Sequence, residues 1–236
     1  MIPLHDDNPT IRRPLVTLAL VAACIGVFLW QQSLGDRAVA AAFYGLGAIP
    51  AVLFGHRELS DGVAVVAPWL TLISYTFLHG GWLHLLGNML FLWIFGNNVE
   101  DAMGHGRFVV FYAVCGAAAG LAHAAMEPRS DVPLVGASGA IAGVLGAYFM
   151  LYPRAHILVL LPLGIFARLM RVPALWVLGV WFALQLFNFG LGGASGGGVA
   201  WLAHIGGFAL GAALIPVFKE RRVPLWGGHR PRGPWG

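Results

Sequence analysis

The chain has 236 residues, 58% of them hydrophobic, with 33 glycines besides and only 10% charged residues. Soluble domains carry about 25% charged residues, and so few polar groups cannot cover a water-facing surface. An ordinary water-soluble enzyme, a disordered chain and a nucleic-acid binder with a charged face are excluded; the composition is that of a polytopic membrane protein.

The charges act as punctuation. A short segment, 1–13, ends in Arg12-Arg13, and 22 uncharged residues then run to Asp36. A spanning helix needs about 20 residues, so one is expected over 14–34. Arg12-Arg13, this apolar run and Ala38-Val39-Ala40 superficially resemble a signal peptide with its cleavage site. The run is long for that, and Asp36-Arg37 interrupt the approach. The loop 35–81 follows. Its uncharged stretch 38–56 is long enough to cross, but Gly45, Gly47 and Pro50 break it, so it is expected to lie partly sunk in the interface.

Between Asp61 and Glu100 there are 38 uncharged residues, broken early by Pro68 and Gly80-Gly81, which leaves one helix over 82–99. The 19 residues after Arg107 predict 108–126, and the 22 after Asp131 predict 137–152. The stretch 155–167, with Pro162 and Gly164, is too short to span and reads as interfacial. The 47 uncharged residues after Arg171 are cut by the small-residue run 190–198 into helices over 172–189 and 199–218, and a basic tail, 219–236, ends the chain. With the N-terminus inside, eleven Lys and Arg fall on the inner side and three (Arg37, Arg57, Arg129) on the outer. The expected fold is therefore an all-α membrane protein, a six-helix bundle with N- and C-termini cytoplasmic. Its net charge of +4 reflects topology and lipid headgroups, with no nucleic-acid partner. Cys24 and Cys115 lie within spans as small packing residues; no disulfide framework or zinc spacing exists.

In a bilayer the informative residues are the polar ones. His84, Asn88, Ser138 and His204 each fall near the start of the second, fourth or sixth span. All three spans enter from the outside, so the four residues share one depth, as a single polar site built from three helices requires. Ser138 stands in Gly136-Ala137-Ser138-Gly139-Ala140, which misses the Gly-x-Ser-x-Gly elbow by one residue. It reads either as a nucleophile backed by a helix N-terminus or as an N-cap. His204 reads as its general base or as a core histidine bonded to a neighbouring helix. Gly139-x-x-x-Gly143 and Gly207-x-x-x-Gly211 are small-residue faces that let two helices approach closely. His84 and Asn88, four apart, share a helix face and can donate to an oxyanion or hold a neighbouring helix. No Asp or Glu lies near this depth, so a dyad is expected rather than a triad.

These residues stand in His79-Gly80-Gly81-Trp82-Leu83-His84-Leu85-Leu86-Gly87-Asn88-Met89, in Gly96 with Val99-Glu100-Asp101, in Gly136-Ala137-Ser138-Gly139, and in His204 with Gly206-Gly207. In that order and spacing the chain resembles the rhomboid intramembrane serine proteases, from about Phe43 to Leu214. The resemblance implies Ser138 as nucleophile, His204 as base, and Asn88, His84 and the Ser138 backbone as oxyanion donors. It implies supporting roles for His79, Glu100, Gly136, Gly139, Gly207 and Gly211. It further implies single-span transmembrane proteins as substrates, cut near the outer face, in a bacterial inner membrane and without a cofactor or metal. Ala142 stands where the family often has an aromatic bracing the catalytic imidazole, and Trp69 is followed by Leu70 where a Trp-Arg pair is usual. A loosely held His204 is therefore expected, braced by Phe208 or not at all, with Ala142→Phe preserving or raising the rate. The run 190–198 and the aromatics Trp176, Trp181, Phe182, Phe187 and Phe189 suggest a lateral gate between the second and fifth spans, unless these aromatics simply face lipid or the interface. Two rival readings remain: a catalytically silent rhomboid-like protein that binds membrane clients, and a haem or metal protein using His79, His84, His123 and His204. The second leaves Ser138 and the glycines without a role.

Overall fold

The six apolar segments that the charges delimit all fold as helices. The computed structural model describes residues 1–163, 166–192 and 200–227. In chain order, β1 (Ile2–Asp6) leads into α1 (Leu15–Ser33), and the first long loop folds as α2 (Asp36–Leu46), α3 (Pro50–Leu53) and α4 (Thr71–Ser74). Then come α5 (Trp82–Met103), α6 (His105–Met126), α7 (Ser138–Leu151), the strands β2 (His156–Leu163) and β3 (Phe166–Pro173), α8 (Ala174–Gly192) and α9 (Trp201–Phe218). Among the described residues, α1, α6, α8 and α9 are each long and apolar enough to cross a membrane. A fifth candidate is the pair Pro68–Phe77 and Trp82–Met103, bent by 86°. Helix α7 is apolar but has only 14 residues, nearly all buried; the other helices, not lipid, are its solvent. The stretch 38–56 forms α2 and α3, both too short to cross.

The tightest pairing among the described elements is α7 against α9, and glycine explains it. A Cβ on Gly207 would strike the Gly139 carbonyl oxygen, and one on Gly211 the Gly143 carbonyl oxygen. A Cβ on Gly146 would strike the carbonyl of Phe208. With no side chain at these positions, the two backbones touch, and dispersion contacts form along the whole seam.

Helix α5 runs to Met103, past the boundary expected at 99, because its two acids face inward. Glu100 is 1% exposed and accepts hydrogen bonds from Val16 N (2.9 Å), Thr17 N (2.8 Å) and Thr17 Oγ1 (2.7 Å). These are the unsatisfied first-turn donors of α1, and a carboxylate there also complements the helix dipole. Asp101 accepts from Ile11 N and Arg12 N, and Asn98 exchanges hydrogen bonds with Asn8. The N-terminal segment is thereby clamped to one end of α5, and Arg12 pairs with Glu220 at 2.5 Å, just beyond α9.

The all-α expectation needs a correction. The stretch 155–167, expected to be interfacial within an all-α protein, begins an antiparallel hairpin of β2 and β3, and β1 pairs on the other side of β2. Its strand signal is a period-2 alternation: Ile157 and Val159 are fully buried, while Leu158 and Leu160, which alternate with them, are partly open. A short strand beginning at residue 2 supplies the third member, and no composition argument about spans could reveal it.

The sheet reaches the helices through Asp6, which is 3% exposed and accepts a hydrogen bond from the Tyr148 hydroxyl at 2.7 Å. Burial pushes its carboxyl up to about 7; neighbouring Asp7 adds to the rise and the Tyr148 hydrogen bond opposes it. An unfolded chain ionises this group in the ordinary range near 4. Stability is therefore full below that value and is lost as pH rises toward 7. Asp6→Asn keeps an acceptor for Tyr148 and removes the charge. It should raise the thermal midpoint in detergent at about pH 8, by the equivalent of roughly 1–4 kcal/mol, with the gain shrinking toward pH 4. An equal gain at both pH values would refute this account.

Candidate active site

At the opposite end of α7 from the sheet, three helix starts converge. Gly136 has φ +121°, a conformation open to glycine and strained for other residues. This turn delivers the chain into α7 with Ala137 at the N-cap and Ser138 as the first helical residue. The Ser138 Oγ lies 2.7 Å from Nε2 of His204 on α9. The N-cap reading of Ser138 is thereby set aside. The distance follows from the glycine seam, because Gly139 and Gly207 meet one turn below the pair.

His204 has a second side-chain partner. Its Nδ1 lies 2.8 Å from Oε1 of Gln185 on α8, and Gln185 Nε2 donates to the Trp181 carbonyl at 3.0 Å. An amide oxygen can only accept, so Nδ1 carries the proton and Nε2 presents its lone pair to the Ser138 hydroxyl. The expected dyad is geometrically a relay of three, ending in a neutral amide. Gln185 is 6% exposed. A search for a carboxylate passes over it; the signal is an amide, one of two with Asn188, in the apolar fifth segment.

His84 and Asn88 approach the same turn from α5. A Cβ on Gly136 would stand 2.6 Å from His84 Nε2 and 3.8 Å from Asn88 Nδ2, so the missing side chain leaves room between them. The Gly80 N–H donates to His84 Nδ1 at 3.3 Å, which leaves Nε2 as the protonated, donating nitrogen. Asn88 Nδ2 is buried without a partner. An unpaired buried donor costs about 1–3 kcal/mol, a cost that a transient anion beside it would relieve. The first-turn N–H groups of α7, without intrahelical acceptors, complete a set of donors on one side of Ser138.

His79 stacks edge-on against His84 at 5.2 Å, while its backbone exchanges two 3.1 Å hydrogen bonds with the Gln31 side chain on α1. Ser138, His204, His84, Asn88, Gly136, Gly139 and Gly207 are thus brought together, with His79 beside them. Glu100 stands at the far end of α5, and Gly211 one turn farther along the seam than Gly207. Among the described residues no cluster of three His, Cys, Asp or Glu side chains could hold a metal ion.

Residues 67–221 match the family model of the rhomboid domain. The chain belongs to the rhomboid family. It is 32% identical over 163 residues to the rhomboid protease GluP of Bacillus subtilis, covering 69% of this chain and 29% of that one. It is 32% identical over 162 residues to the chloroplastic rhomboid-like protein 11 of Arabidopsis thaliana, covering 64% and 53%. To the rhomboid protease GlpG of Yersinia enterocolitica it is 26% identical over 208 residues, covering 88% and 63%. The chain thus spans less than two thirds of the length of each of these relatives.

Within this rhomboid fold, the expectation of a loose His204 is corrected. Trp181 and Trp201 flank the imidazole, with ring centroids 5.9 Å and 6.2 Å away. Phe208 does not brace it; that ring stacks on Phe182 at 4.5 Å and fills the space against Phe149. Ala142 is fully buried and faces Gly207, where a Cβ would lie 3.3 Å from its own. Support that the sequence sought on α7 comes from α8, and the space beside Ala142 is occupied by α9. Trp181 and Phe182 accordingly face inward, whereas Trp176 and Phe187 are exposed. Most of the proposed gate loop, 193–199, lies outside the described residues, as does 228–236 of the basic tail. Ala142→Phe should overpack the α7–α9 seam, at roughly 1–3 kcal/mol. A lowered thermal midpoint is expected, and an unchanged one would show that the seam can yield.

Proposed function

We propose that this rhomboid-family protein is an intramembrane serine endopeptidase that cleaves single-span transmembrane proteins near the outer face of a bacterial inner membrane. The observation that carries the reading is the 2.7 Å approach of Ser138 Oγ to His204 Nε2, with Gln185 fixing the tautomer from the far side. In this reading α1, α5, α6, α8 and α9 cross the bilayer around a shorter α7 that completes the six-helix bundle, with both termini cytoplasmic, which the excess of Lys and Arg on the inner side supports.

Ser138 attacks the scissile carbonyl as its proton passes to His204 Nε2. Negative charge gathers on the carbonyl oxygen beside the Ser138 N–H, Asn88 Nδ2 and His84 Nε2–H, and each such donor is worth roughly 10²–10³ in rate. The imidazolium returns its proton to the leaving amine, which leaves an acyl-enzyme on Ser138. His204 then deprotonates a water, which attacks the ester and frees Ser138. No step calls for a cofactor.

Ser138→Ala should lower cleavage of a single-span substrate in proteoliposomes by roughly 10⁴-fold or more, and a fluorophosphonate probe should label Ser138 in the folded wild type. Undiminished cleavage by the variant removes the assignment. A folded wild type that neither cleaves nor takes the probe would favour the client-binding alternative.

Gln185 is a positioning residue. Gln185→Leu should cut kcat by about 10–100-fold with little change in KM, since only the orientation of the base is lost. Gln185→Glu, which keeps an acceptor for Nδ1, should recover part of the rate. A loss in both variants that tracks thermal destabilisation alone would make Gln185 merely structural.

A further inference from the structure

The sheet has a face that begins inside the protein and ends outside it. Residues directly opposite on antiparallel strands share a face. The pairs Ile157–Val172, Val159–Met170 and Leu161–Arg168 therefore place Met170 and Arg168 on the buried side of the hairpin, and Phe166 follows two residues along. Toward the helix ends that face is covered, with Ile157 and Val159 fully buried. Toward the hairpin tip it opens: Met170 is 37% exposed and Phe166 is 72% exposed. The same surface that rests on the helix bundle thus continues past the bundle's rim.

Both ends of the hairpin are tied to helix ends. The β2 strand begins five residues after Leu151 closes α7, and Pro173 of β3 passes directly into α8. What lies beside the rim of a membrane helix bundle, level with its helix ends, is the lipid headgroup layer. The chemistry of the overhang suits that layer. Phe166, Arg168 and Met170 alternate aromatic, cation and flexible apolar chain, and Arg154 and Arg171 add charge, with no Asp or Glu anywhere from 154 to 173. Among the described residues neither Arg168 nor Arg171 takes part in an ion pair. Aromatic rings settle at headgroup level, and arginine lays its methylenes on apolar surface while its guanidinium reaches phosphate. Arginines along β3 also discourage pairing of this edge strand with another chain.

We propose that the β2–β3 hairpin is an interfacial anchor that docks the Phe166–Arg168–Met170 face onto anionic phospholipid beside the bundle. The proposal is independent of the proteolytic reading and needs only that the bundle is embedded in a bilayer. To test it, nitroxide labels are placed through Phe166→Cys, Met170→Cys and, on the opposite face, Leu169→Cys; the native Cys24 and Cys115 are buried and stay unlabelled. The full chain is reconstituted in vesicles of phosphatidylcholine alone or mixed with phosphatidylglycerol, and its helical circular dichroism is checked against wild type. Labels at 166 and 170 should be several-fold more accessible to membrane-dissolved oxygen than to an aqueous nickel chelate, and the label at 169 the reverse. Phosphatidylglycerol should increase that contrast, and Arg168→Gln should cancel the increase. Equal water access on both faces would overturn the proposal, as would immersion indifferent to phosphatidylglycerol. Spin–spin broadening between labels at high lipid dilution would assign the face to a second copy of the chain and also overturn it.

Discussion

The structure depends on one contact: backbone against backbone between α7 and α9. Gly139, Gly143 and Gly146 on one helix meet Gly207, Gly211 and the Phe208 carbonyl on the other, with no room for a Cβ at any of the five glycines. In lipid no hydrophobic force drives two apolar helices together, so dispersion over a close seam must hold them. The same seam sets the chemistry. Ser138 and His204 project from its upper end, and their separation is a property of helix spacing rather than of side-chain flexibility. One added methyl in the seam acts on the reacting pair even where it touches neither residue.

A second constraint works at the other end of the bundle. Asn98, Glu100 and Asp101 sit buried on one turn of α5, where polar groups are tolerated only when satisfied. Glu100 and Asp101 accept from backbone donors of α1 and of the N-terminal segment, and Asn98 pairs with the side-chain amide and the backbone carbonyl of Asn8. The Arg12–Glu220 pair, and the Glu220 N–H donating to the Ala102 carbonyl at 2.8 Å, then tie in the segment after α9. The chain's two ends are thus held by the helix that carries Asn88 and His84, and a disturbance there reaches the site through α5 as a rigid body.

The four polar residues of the sequence reading were legible because lipid makes polarity expensive: Ser138, His204, His84 and Asn88 had no cheap reason to be where they are. Gln185 obeys the same rule and was passed over because the search was for a negative charge. A relay in an apolar surrounding has reason to end in an amide, since a carboxylate there would carry a heavy desolvation cost. The brace on His204 was sought one turn along α7, but sequence spacing reports only neighbours on the same helix. Trp181 reaches the imidazole from a different one. The sheet was illegible for another reason: charge-free blocks measure the capacity to span, and strands of five to eight residues leave no mark on that measure.

The length of α7 bears on where the reaction would occur. Fourteen residues rise about 21 Å at 1.5 Å each, against a hydrocarbon core of about 30 Å. If the sheet beneath Tyr148 lies at one face of the membrane, as proposed, α7 stops about 9 Å short of the other, and its first residue is Ser138. A longer α7 would carry the serine into the headgroups, where any exposed loop could reach it. A shorter one would sink it where water, which the acyl-enzyme must consume, is scarcest. The side chains gathered about Ser138, namely His84, Asn88, His204 and Gln185, offer polar groups that water can solvate. On the proposed reading, a peptide bond presented there would have just left its transmembrane helix, and so would have lost the intrahelical hydrogen bonding that protects it elsewhere in the bilayer. Selection for membrane-anchored substrates would then follow from where the serine stands, without a recognition pocket having to supply it.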